Sequence, residues 1–212
     1  MQELQSFVAT LRVGGAMVYP LLALAVVAVV VILEKGFVLA ARTRVPPPLL
    51  RAIDTEGFDW SDLEQRVARL APRNYFGRFF GVIIQNRKRP LWWLESRAAE
   101  EASLIEKSLG RWLWILETTV TAAPLLGLLG TITGMVRAFK LFGSEGLVDP
   151  RGVTGGVAEA LIATAVGLFI ALVALFAFNF FSYRVAQVMD QLEQVGTRLV
   201  DHIRLDERPV QP

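Results

Sequence analysis

Of 212 residues, 53% are hydrophobic and 20% charged, and the formal net charge is +2. With a mean hydropathy of +0.44, that balance excludes an ordinary soluble globular domain and calls for an integral membrane protein. The absence of cysteine excludes disulfides and thiolate metal sites, and a single histidine, His202, leaves no basis for a histidine-rich metal centre or histidine-based catalysis.

Residues 1–13 open the chain with Leu4, Phe7, Val8 and Leu11 on one side of a short amphipathic helix, suited to a membrane surface. No basic n-region or small-residue cleavage site frames the next apolar run, so residues 14–33 read as a retained first span rather than a cleaved signal. Pro20 stands near its start, where a proline does least harm, and the Val/Leu/Ala-rich remainder suits a lipid-facing helix. Glu34, Lys35, Arg42 and Arg44 close it, and Pro46, Pro47 and Pro48 predict an extended turn.

Residues 34–114 are soluble in character. Short amphipathic pieces such as 61–70 are separated by expected breaks at Gly57, Pro72 and Gly77, and Ser61 before Asp62 and Glu64 reads as a helix start. The cluster Arg87, Lys88, Arg89 lacks an aromatic-interleaved groove and reads as a membrane-proximal basic patch, not a nucleic-acid site. After Pro90 a longer helix carries Leu91, Leu94, Ala98, Leu104, Ile105 and Leu109 at helical spacing. Trp92 and Trp93 lie at its start, and Trp112 and Trp114 stand where an interfacial aromatic belt is expected.

The second span, residues 115–141, is rich in small and polar residues. Ala123, Gly127, Gly130 and Gly134 share a face that lets another helix approach closely, and Pro124 predicts a kink or a loosened turn. Residues 142–154 form a short loop, which makes the second and third spans antiparallel neighbours. The third span, residues 155–182, repeats Gly156, Ala160, Ala163, Gly167, Ala171 and Ala174 at three- and four-residue steps. Beyond it, residues 183–212 keep Val185, Val188, Leu192, Val195, Leu199 and Ile203 in helical register. That tail is expected to pack against the helix before the second span, with His202 solvated and Pro209 to Pro212 frayed.

The segment joining the first two spans, with its flanks, carries about fourteen Lys and Arg, far more than the other loops, so it reads as cytoplasmic. The N-terminus and the short loop are then periplasmic and the tail cytoplasmic.

Three side chains are candidates for chemistry. Glu159 is a carboxylate at the start of an uncharged run from Ala160 to Tyr183, and a charge near the hydrocarbon costs about 2.5–3.5 kcal/mol unless a partner, water or protonation relieves it. It reads either as an interfacial residue favoured by the helix dipole or as a polar group on an ion or water path. Thr131 and Thr164 either bond their own backbone one turn back or present hydroxyls to one narrow passage between hairpin helices. The glycine-rich GLLGTITG segment has no following Lys and no phosphate-loop context, and no hydrolase, kinase or metal motif is present.

The run Ala123-Pro124-Leu125-Leu126-Gly127-Leu128-Leu129-Gly130-Thr131, with Gly134 and Phe139, resembles the second-span motif of the MotA/TolQ/ExbB proton-channel family. Ala158-Glu159-Ala160-Leu161, Ala163-Thr164-Ala165, Gly167-Leu168, Ala171 and Asn179 resemble its third-span motif. The three-span layout, large loop and helical tail extend the resemblance over nearly the whole chain, and size and tail are most similar to ExbB, with TolQ next. The resemblance implies an all-α inner-membrane motor subunit without cofactor. It implies a pentameric ring around an ExbD-like single-span dimer, driven by ion flow and passing force to a TonB-like protein. It also implies pore-facing roles for Thr131, Glu159 and Thr164. Two departures stand out: Val173 occupies a position where a proline is common in ExbB proteins, and Arg137 and Lys140 make the end of the second span unusually basic, which leaves sodium open as the ion and leaves the partner open. A passive membrane scaffold is the alternative. A stand-alone secondary transporter lacks the inverted repeat and broken helices it would need.

Overall fold

The computed structural model describes residues 15–44, 47–53, 58–140 and 150–207. The expected amphipathic segment 1–13, the expected break at Gly57, most of the short loop and the last five residues lie outside that range. The described chain is helical throughout, with no strand: α1 Val18–Arg42, α2 Pro47–Ile53, α3 Trp60–Ala68, α4 Tyr75–Asn86, α5 Leu91–Gly110, α6 Leu113–Lys140 and α7 Pro150–Glu207. Three stretches are long and apolar enough to cross a membrane, namely α1, the run Leu91–Lys140, and Val153–Asp206 within α7. The chain divides into two compact units.

The apolar unit takes the chain up to Leu33 and Trp112–Phe180. In it α1 buries Val18, Leu21, Ala28 and Val31 at helical spacing and exposes Val26, Val29, Val30 and Leu33. Leu21 joins Ala123 of α6 and Ile170 and Ala171 of α7 in the core, edged by Leu24, Ala25, Leu126 and Val166. Helix α6 continues through Pro124 without a break. Proline has no N–H to give to the carbonyl one turn back, so the carbonyl of Val120 loses that donor while the helix persists.

The charged unit takes Glu34–Arg111 and the chain from Phe181 onward. Phe76, Phe80, Ile83, Leu94, Ile105 and Leu109 are fully buried. The tail positions Val185, Val188, Leu192, Val195, Leu199 and Ile203 are buried with them, so the tail completes the core of this unit. Asn74 caps α4 by accepting from the N–H groups of Phe76 and Gly77, and its side-chain amide donates to the carbonyl of Arg44 at 2.7 Å. Lys35 is fully buried, and its Nζ donates to the carbonyl of Leu109 at 2.9 Å, in the last turn of α5, with Glu34 at 3.6 Å. A lysine there satisfies a carbonyl the helix end leaves without a donor.

Several local expectations are corrected. Pro46 lies outside the described residues, and Pro47 and Pro48 open α2 rather than an extended turn, because proline is tolerated in the first helical turn. The third helix is capped by Asp59, whose side chain accepts from the Ser61 N–H, so Ser61 is inside the helix and not its start. Gly77 lies within α4 and breaks nothing. Leu104, expected on the apolar side of α5, is 48% exposed. The long helix does break, at Arg111–Trp112, where Trp112 adopts φ 69°, a left-handed backbone that a bulky residue adopts only under constraint. Helix α7 starts at Pro150, inside the expected loop, and is continuous to Glu207. His202 is half-buried rather than free in solvent: its ring stacks on Phe58 at 4.1 Å, and Nε2 lies 2.9 Å from the carbonyl of Ile53. A carbonyl only accepts, so Nε2 carries the proton.

Candidate functional site

Helices α6 and α7 meet through a ladder of small residues in antiparallel order. A β-carbon on Gly167 would sit 2.5 Å from the carbonyl oxygen of Ala123. One on Gly127 would sit 3.0 Å from Cα of Thr164, one on Gly130 2.5 Å from the methyl of Ala163, and one on Gly134 2.9 Å from the carbonyl of Gly156 and 3.0 Å from the methyl of Ala160. Gly156 in turn faces Ala138. Backbones this close exclude side chains from the seam and bring the two helices' polar groups together. Gly155, next to the seam, has open space around it.

Two polar contacts cross the seam among the described residues. Thr164 Oγ1 donates to the carbonyl of Gly127 at 3.0 Å, reaching the other helix rather than its own. Arg137, in the last turn of α6, donates through Nη1 to Oε1 of Glu159 on α7 at 2.7 Å. Glu159 is the more sheltered of the two, with 20% of its side chain exposed against 53% for Arg137. Its carboxylate also lies against Gly15, just before α1, where a β-carbon would fall 1.6 Å from Oε1 and where φ is 71°. Glycine is the residue that fits both the backbone and the seat.

Thr131 is half-buried on α6, and its Oγ1 donates to Leu128 one turn back at 2.6 Å. The hydroxyl protons of Thr131 and Thr164 are therefore both committed to carbonyls. What each oxygen keeps is its acceptor lone pairs, which can face a water, a hydronium or a bare cation. Within one protomer the structure places Glu159 and Thr164 on the α6–α7 seam and Thr131 on α6 alongside it. Arg137 was legible in sequence as an unusual charge but not as the partner of Glu159. The signal was present, since a hairpin register that pairs Gly134 with Gly156 and Ala160 also sets Arg137 beside Glu159.

Beyond the seam, α6 exposes Leu125, Leu128, Ile132, Val136 and Phe139, and α7 exposes Leu161, Leu168, Phe169, Leu172 and Phe176. Such surfaces are covered by acyl chains or by other protein in a membrane. Among the described residues no group of acidic or histidine side chains could hold a metal ion.

Residues 72–194 match the model of the MotA/TolQ/ExbB proton channel family, a stretch that holds both seam-forming segments. Among similar proteins, a biopolymer transport protein ExbB-like 1 from a Synechocystis strain is 29% identical over 191 residues, covering 88% of this chain and 74% of that one. The biopolymer transport protein ExbB of a Xanthomonas campestris strain is 50% identical over 68 residues, 32% of this chain and 27% of its own. ExbB of Aquifex aeolicus is 35% identical over 91 residues, 43% of this chain and 62% of its own. The matched family is one of channels, not enzymes. With a family match over more than half its length and three helices able to span a membrane, the chain belongs to the MotA/TolQ/ExbB proton channel family.

Proposed function

We propose that this chain is the multi-span subunit of an ion-driven motor in the bacterial inner membrane, most like ExbB. Five copies enclose a path lined by α6 and α7, and an ExbD-like single-span dimer occupies its centre. Ion flow through the assembly energises a TonB-like protein for outer-membrane transport. The charged unit is cytoplasmic and the turn between α6 and α7 periplasmic, following the bias of Lys and Arg.

The observation that carries this reading is the polar content of the seam. Thr131, Thr164 and Glu159 sit on two helices whose backbones touch, within a unit that exposes many large apolar side chains. Hydroxyl oxygens with free lone pairs hold water or a cation weakly enough to release it, which conduction requires. Glu159, sheltered over Gly15 and tied to Arg137, supplies a negative group near the outer end of the path. Because its charge is matched by Arg137, the group that takes up and releases the ion belongs to the partner.

The experiment is ion flux in vesicles holding the subunit with its ExbD-like partner. Glu159→Gln and Thr164→Val should each lower partner-dependent proton flux several-fold with normal insertion and assembly. Repeating the assay with sodium in place of a proton gradient identifies the ion. Flux equal to wild type in both variants removes the conduit. The Arg137–Glu159 pair favours one second reading, a passive scaffold in which the matched charges only clamp the hairpin. TolQ-like or MotA-type motors share the path and differ in the protein they drive, which pull-down of the partner decides.

A further inference from the structure

In the charged unit, α5 and the last turns of α7 lie side by side and antiparallel. Arg204, near the end of α7, donates to Glu95, near the start of α5, at 3.1 Å. Between them runs an open trough of about 580 Å³, with Ala98, Ala99 and Ala102 on one wall and Gly196 and Val200 on the other. Phe79 of α4 closes the floor, with its ring 3.0 Å from where a β-carbon on Gly196 would stand. The trough exists because small residues occupy positions on both helices where Leu or Ile would fill the gap. From Glu95 to Glu106 it is about 16 Å long, or three turns of helix.

The rim is acidic. Glu95, Glu106, Glu193 and Asp201 line it with one cation, Arg204, which already bonds Glu95 and lies 3.5 Å from Asp201. Glu106 and Glu193 have no ion-pair partner among the described residues. The whole chain carries +2, so this negative strip is local. The geometry points to a docking site for a cationic amphipathic helix from a different polypeptide. Its small apolar side chains would lie on the alanine wall, and its Lys or Arg heads would reach up to Glu106 and Glu193. A second copy of this chain fits less well. Arg66, Arg78, Arg87 and Arg97 are each paired with a carboxylate of their own unit, so α3, α4 and α5 carry a single cation outside those pairs, Lys107, where an amphipathic ligand needs a row of them. The inference stands apart from the ion path, since no residue of the seam takes part.

The absence of cysteine gives a direct test. Ser103→Cys, on the trough wall, and Ser61→Cys, exposed on α3, each carry a bimane label in the purified full-length assembly in detergent. The probe is an amphipathic peptide of about fourteen Leu, Ala and Lys residues, long enough to fill the trough, and its twin has Glu for Lys. A saturable emission shift is expected at Ser103→Cys only, with the Lys peptide only. In the background Glu106→Gln with Glu193→Gln, and again at about 0.5 M salt, that binding should weaken by at least about tenfold. Equal shifts at both labels mean partition into the micelle and overturn the proposal. So does an equal response to the Glu peptide, no response at all, or efficient bismaleimide crosslinking of Ser103→Cys to a second copy.

Discussion

Glu159 and Arg137 are 22 positions apart in sequence and 2.7 Å apart in space. Removing either charge leaves the other at the membrane edge without its partner, which costs more than the pair itself contributes. Because Arg137 is half exposed, the net coupling should be modest, about 0.5–1 kcal/mol. A double-mutant cycle of Arg137→Gln and Glu159→Gln, read as thermal stability of the purified assembly, measures it. The charge swap Arg137→Glu with Glu159→Arg then separates clamp from conduit. Stability should return toward wild type while partner-dependent flux stays low, because the sign of charge facing the path is reversed. Recovery of both would make the pair purely structural.

Lys35 argues at the same scale in the charged unit. It is fully buried at the end of α5, with Glu34 at 3.6 Å, and its ammonium satisfies the carbonyl of Leu109. Lys35→Met keeps the length of the side chain and removes the donor. The buried carbonyl is then unpaired, at a cost of about 1–3 kcal/mol. Thermal unfolding followed by helical signal should show a lower midpoint for Lys35→Met than for the surface control Lys107→Met, and equal midpoints would mean the contact is dispensable.

At the scale of the element, the α6–α7 seam is a size code that can be rewritten. Gly130→Ala places a methyl 2.5 Å from the methyl of Ala163, a clash worth about 1–3 kcal/mol. Exchanging the pair, Gly130→Ala with Ala163→Gly, keeps total volume and should restore most of the lost stability. Gly155→Ala, which meets nothing within 4 Å, should change little. The measurement is the melting temperature of the three variants in one detergent. A swap no better than Gly130→Ala alone would mean that the strain arises outside this contact.

How much of this was legible beforehand follows from where the determining forces lie. The tail positions Val185, Val188, Leu192, Val195, Leu199 and Ile203 were read from spacing alone, and all six are buried, because burial of one helical face leaves a periodic trace. Helix ends were read less well. Asp59 and Ser61 are both good capping residues, and only the backbone decides that Asp59 turns toward the Ser61 N–H. The break at Trp112 does have a local sign, Gly110 as the last residue of α5, but one glycine inside a long helical pattern is a weak signal. His202 was misplaced because its partners, Phe58 and the carbonyl of Ile53, come from about 150 residues upstream, beyond any local pattern. At the site, the seam was legible as a stripe of Gly and Ala. The hydrogen bond of Thr164 to the Gly127 carbonyl was not, because a threonine's usual acceptor is its own helix.

For the whole molecule the open matter is what covers α6 and α7. Apolar exposure alone does not require a second copy, since lipid tails satisfy Leu and Phe as well as protein does. The polar groups are the argument for the proposed one. Thr131 lies half-buried beside the seam with its oxygen still able to accept, and acyl chains offer it no donor. A ring places that face toward water and toward a partner, and leaves α1, with Val26, Val29, Val30 and Leu33 exposed, to meet lipid. Native mass spectrometry of the complex released from detergent should therefore give a single stoichiometry of five copies, raised by two single-span partners when these are co-expressed. A tryptophan at Leu128, on the exposed face of α6, should disturb that stoichiometry, whereas a tryptophan at Val29 of α1 should leave it intact. Monomers throughout, or equal disruption by both substitutions, would place the shared surface elsewhere and remove the physical reason for an enclosed path.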